Sequence, residues 1–168
     1  MNRVSACFAL ILMASTFAAV AQVPVTSATA IPTTPTDASA LGYDAGLAKK
    51  LGADDYGMRN YVLVVLKSGP KKMPAGKERD KMFKGHFANI NRLAKEGMLA
   101  VAGPFDGVDG WRGLFILAVD DIEEAKKHVA TDPVIFNGEM IAEFHKFYGS
   151  AAMMQINETH QRIAKRSF

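Results

Sequence analysis

The sequence predicts an α+β domain, and three observations carry that prediction. Residues 61–66 (YVLVVL), 98–102 (MLAVA) and 111–119 (WRGLFILAV) are short apolar runs rich in β-branched and aromatic residues, as buried strands are. Apolar residues recur three and four apart elsewhere. Phe83, Phe87, Ile90, Leu93 and Ala94 form one helical stripe, and Ile122, Ala125 and Val129 form a second. Residues 140–148 (MIAEFHKFY) roughly alternate and supply a last strand. The order is strand, helix, strand, strand, helix, strand. That is the ferredoxin-like βαββαβ arrangement, an antiparallel sheet with both helices on one face.

The elements justify themselves in order. Residues 1–21 begin with a basic Asn2-Arg3, continue through an apolar stretch at 4–20 and end on Ala19-Val20-Ala21. This is the pattern of a secretory signal peptide cleaved before Gln22, so the protein is expected to be exported, to the periplasm or outside the cell. Cys7, the single cysteine, leaves with that segment. The mature chain then has no disulfide, no thiol nucleophile and no thiolate metal site. Residues 22–58 are expected to be a flexible linker, rich in Thr, Ala, Pro and Ser, followed by an N-terminal arm. In the arm, Leu47 and Leu51 stand four apart, Asp44 is placed to cap and Gly52 to stop a short helix.

The domain proper is expected over 59–149. Residues 67–80, with Gly69-Pro70, Pro74 and Gly76, read as a loop. Residues 81–96 read as a helix that contains Gly85 and ends at Gly97; a glycine inside a helix points to a close approach by something else. The second strand closes at Gly103-Pro104, and 105–110 (FDGVDG) reads as a hairpin turn. Asp121 with Glu124 has capping-box spacing for the second helix, which Asp132-Pro133 ends because the residue before proline avoids helical backbone. Residues 134–138 read as a loop. The tail, 150–168, carries Met153, Ile156, His160 and Ile163 at helical spacing.

The first three strands are apolar on both sides, so the sheet face away from the helices needs cover. A second copy of the sheet would provide it, which predicts a homodimer packed face to face, a dimeric α+β barrel. Formal charge falls from +3 to +2 once Arg3 is removed, too little to argue for nucleic acid or membrane as a partner.

Residues 61 to about 147 resemble the YCII-related (YciI-like) family. The resemblance rests on a Tyr-Val-led first strand, a helix histidine followed by apolar residues and a Gly, and a strand ending in Ala102-Gly103-Pro104. It rests also on Asp132-Pro133 followed by Gly138. It implies a site built from His86 and Asp132. Arg79, Gly103, Pro104, Phe105 and Gly138 are the implied contacts to a small organic substrate. It also implies the same dimeric barrel. Relatives connected with dehalogenating and lactone-processing enzymes point to proton transfer. Where the family often has an Arg one helical turn before the histidine, this chain has Phe83, with Arg79 a further turn back.

The residues themselves allow that chemistry. Histidine titrates near neutral pH, so it can take and return a proton, and a neighbouring carboxylate fixes which ring nitrogen carries the hydrogen. The reading is a small enzyme that needs no cofactor, performing proton transfer or hydrolysis with His86 and Asp132. The alternatives are a binding module that uses the same pocket without chemistry, and a dimerisation scaffold. His128, His145 and His160 have no partner at a metal-binding interval. No phosphate-binding glycine loop and no nucleophile elbow is present.

Overall fold

The computed structural model describes residues 42–166; the expected signal peptide and most of the linker lie outside the described residues. A short helix, α1 (Ala45–Leu51), opens the described chain. Asp44 caps it by accepting from the Leu47 N–H, and Gly52 ends it in left-handed backbone. Then follow β1 (Met58–Ser68), α2 (Lys77–Lys95), β2 (Leu99–Pro104), β3 (Trp111–Leu117), α3 (Ile122–Ala130), α4 (Pro133–Phe136), β4 (Met140–Ser150) and α5 (Ile156–Ile163). The four strands form one antiparallel sheet in the order β2-β3-β1-β4. This is the α+β, ferredoxin-like order.

Strand alternation places the core. Val62, Val64 and Leu66 of β1 point to the same side as Phe115 and Leu117 of β3. There they meet Met82 and Leu93 of α2, Ala125 and Val129 of α3, and Val134 of α4. All three helices therefore lie on one face of the sheet. The opposite face carries Leu63 and Val65 beside Ile116 and Leu114. At one end of that face Tyr61 is sealed, donating from its hydroxyl to the Ser150 carbonyl while Arg59 lies over its ring. The arm is tied on by Asp54, which accepts from the Tyr148 hydroxyl, and by Arg59, which donates to the Leu51 carbonyl.

Several boundaries differ from the sequence reading. The first core helix starts at Lys77 rather than 81, because Gly76 (φ +142°) turns the chain and Glu78 and Asp80 suit a helix N-terminus. β2 continues through Pro104, which an edge strand tolerates because the proline nitrogen owes no ladder bond. β3 stops at Leu117 and β4 runs on to Ser150. The capping box at Asp121 is half formed: its carboxylate accepts from the Glu123 and Glu124 N–H groups, while the Glu124 side chain lies 3.9 Å from His128. The expected loop at 134–138 begins as α4, with Pro133 at its first turn. Among the described residues, no helix is long and apolar enough to cross a membrane.

Candidate functional site

His86 and Asp132 meet between α2 and α4. The residue before a proline is held extended, and extended backbone is what a helix N-cap requires. Asp132 adopts it (φ −80°, ψ 126°) and caps α4 by accepting from the Val134 N–H through Oδ1 at 3.1 Å. Its other oxygen, Oδ2, lies 2.8 Å from His86 Nδ1 and 3.3 Å from Asn89 Nδ2. Asn89 is fixed in turn, its Oδ1 accepting from Arg92 and from the Thr131 hydroxyl. The Asp132 side chain is fully buried.

Gly85 makes this meeting possible. A Cβ at Gly85 would lie 2.9 Å from Pro133 Cγ, so the backbone of α2 touches α4 one residue away from each member of the pair. The close approach that the helix glycine implied is with Pro133.

The hydrogen-bond pattern sets the tautomer. A carboxylate only accepts, so Nδ1 carries the hydrogen and donates it to Asp132. Nε2 then presents its lone pair. It makes no hydrogen bond with the described residues, and about 9% of the His86 side-chain surface stays exposed. The rings of Phe83, Phe87 and Phe115 surround the imidazole, with centroids 6.1, 5.5 and 6.1 Å away. The site is thus an oriented imidazole in an aromatic setting, with one ring nitrogen bonded to Asp132 and the other without a hydrogen-bond partner among the described residues.

The other predicted contacts are dispersed. Arg79 donates to Glu139 Oε1 at 2.8 Å and stacks over Phe83, 4.5 Å from the ring centroid. Gly138 (φ +74°) accepts from the Lys71 N–H and packs so closely on Gly69 that a Cβ there would lie 2.2 Å from the Gly138 oxygen. Gly103 and Pro104 pair with Leu114 and Gly113 at the end of the β2–β3 ladder. Phe105 stands against Trp111, 5.5 Å between centroids, and the Trp111 ring in turn faces Lys67. Lys67 is paired with Glu143. Those side chains belong to the sheet face away from the helices, so Phe105 is not brought to His86.

Two residues of the site were missed by sequence reasoning. Asn89 is three residues after His86, one turn along the same helix, and that spacing was a legible signal. Glu139 is the other. Its side chain is fully buried, with Oε2 accepting from the Met73 N–H at 2.6 Å. Burial alone would push its carboxyl up. The bonds from Met73 and Arg79, with the charges of Arg79 and Arg112, outweigh burial and hold it below the ordinary 4.5. No local pattern marks such a residue, because its ion-pair partner is 60 positions away.

A cavity of about 520 Å³ opens beside the pair, lined by Met73, Met82, Gly85 and Pro133 among others. Neither His86 nor Asp132 lines it, although Gly85 and Pro133 are their chain neighbours. Among the described residues no three of His, Cys, Asp and Glu gather into a metal-binding group.

Fold and site together define an α+β domain with a buried His–Asp pair. The family model for the YCII-related domain matches residues 60–147, just over half of the chain, and the protein belongs to that family. A comparison with curated proteins gave no match.

Proposed function

We propose that the protein is a small enzyme that needs no cofactor and moves a proton on a small organic molecule, with His86 as the base and acid and Asp132 as its orienter. The observation that carries this is the 2.8 Å bond between His86 Nδ1 and buried Asp132, with Nε2 left without a partner among the described residues. In the forward step Nε2 takes a proton from an activated carbon, or from a water that attacks the substrate. The ring becomes imidazolium, stabilised by Asp132, and then returns the proton to the product. Positioned acid–base groups of this kind supply roughly 10²–10⁴-fold in rate.

The test is a panel of small carbonyl compounds and lactones incubated in heavy water and read by NMR and mass spectrometry. Deuterium incorporation or hydrolysis that His86→Gln abolishes, with ligand binding retained, is the expected result. Binding with no turnover of any compound would contradict the enzyme reading and favour a binding module.

The working form is proposed to be an exported homodimer. The dimer reading rests on Leu63, Leu114 and Ile116, half-buried on the sheet face without helices, and on Ile141 and Trp111, 46% and 43% exposed. Export rests on the residue pattern of 1–21.

A further inference from the structure

Glu139 poses a physical problem. A buried ion pair is a poor way to add stability, because desolvation offsets much of the attraction and an apolar pair of similar size often does as well. Yet Glu139 is fully buried and has both oxygens engaged. What it holds is informative. Arg79, Phe83 and His86 stand at positions i, i+4 and i+7 of α2, one stripe of the helix surface. Along that stripe the guanidinium of Arg79 lies on the Phe83 ring, and the Phe83 ring meets the His86 ring at 83°, edge to face. Glu139 fixes the first member of this series from outside the helix. Its second oxygen fixes the Met73 backbone, while its own carbonyl accepts from the Gly69 N–H, so the 69–73 segment is bound to the same point.

We propose that Glu139 is a positioning residue for the His86 site: by anchoring Arg79 over Phe83, it sets the aromatic wall against which the imidazole stands. The proposal rests on the reading of His86 and Asp132 as the reactive pair. The carboxylate is suited to this because it stays ionised into the acid range, so the anchor persists wherever the imidazole works. A planar guanidinium is also needed, since it can bond to a carboxylate along its edge while lying flat on a ring. A lysine ammonium is a point charge with no flat face, so it can pair with the carboxylate but cannot spread over the ring while doing so.

The test reads the site without any substrate, so its failure is separable from failure of the enzyme reading. The His86 ring-proton resonances are followed by NMR in the full chain, in Glu139→Gln and in Arg79→Lys, with folding checked by circular dichroism and urea titration. Both variants are expected to stay folded and to displace the His86 ring protons, because the Phe83 ring current over them changes. Arg79→Lys is the sharper variant, since it keeps a cation for Glu139 and loses the flat guanidinium face that lies on Phe83. The Nδ1 hydrogen bond to Asp132 is expected to persist in both. Folded variants whose His86 resonances superimpose on those of the parent would overturn the proposal, leaving Glu139 a residue of stability alone. Should Glu139→Gln fail to fold, Arg79→Lys decides by the same criterion.

Discussion

Asp132 satisfies three donors with one carboxylate: the Val134 N–H, the Asn89 amide and the His86 ring. Replacing it with Ala removes a helix cap, worth typically about 1 kcal/mol, and leaves buried donors without an acceptor at about 1–3 kcal/mol. Asp132→Ala is therefore expected to lower stability by about 2–4 kcal/mol in urea denaturation, and Asp132→Asn, which still caps, by clearly less. An equal loss in both would mean that the charge, not the cap, dominates. Glu139 yields a prediction about pH. Its folded value is depressed, so its contribution is fully present above the unfolded carboxylate value of 4.5 and is lost as pH falls through the lower folded value. Glu139→Gln keeps an acceptor, and Arg79 is about a quarter exposed to water, so its cost near neutral pH is about 1–3 kcal/mol. That difference from the parent should shrink below pH 4.5, as chemical denaturation across pH would show. A difference independent of pH would contradict the assignment.

At the scale of the elements, the helix-to-helix contact decides whether the pair exists. Gly85→Ala would gain about 1 kcal/mol of helix propensity but place a Cβ 2.9 Å from Pro133, and overpacking costs about 1–3 kcal/mol. The expected outcome is a stability change between about zero and −2 kcal/mol, accompanied by a weakened His86–Asp132 bond seen as faster exchange of the Nδ1 proton. An unchanged exchange rate would show that Gly85 does not set the spacing. The same contact shows what the sequence revealed. Gly85 and Asp132-Pro133 were each legible, the first as a close approach and the second as the end of a helix. That they touch each other was not, because one residue type at each end names no partner. Likewise Asp132 could be read as stopping a helix, but its role as the cap of the next was hidden, since α4 is four residues long and too short for apolar periodicity to appear.

For the whole molecule, the βαββαβ order of elements followed from the apolar runs and the helical periodicity, and that order implies a sheet with its helices on one face. The arrangement of loops around the site did not follow in that way. Phe105 lies beside Trp111 at the end of the β2–β3 ladder, where its N–H bonds to the Arg112 carbonyl, and a bulge sets Lys67 opposite Trp111; a register shift of one residue leaves no trace in composition. The uncovered sheet face gives a prediction at this scale. The chain should run as a dimer in sedimentation equilibrium, and Leu114→Asp with Ile116→Asp should yield a folded monomer. A monomeric parent would contradict the proposed assembly.

The central claim is that Asp132 orients His86 so that Nε2 is the working nitrogen. The measurement that reaches it most directly is a long-range nitrogen–proton NMR correlation of the His86 ring at a pH where the ring is neutral. Hydrogen on Nδ1 and a lone pair on Nε2 are expected, with that preference lost in Asp132→Asn. A ring carrying its hydrogen on Nε2, or a tautomer indifferent to Asp132→Asn, would contradict it.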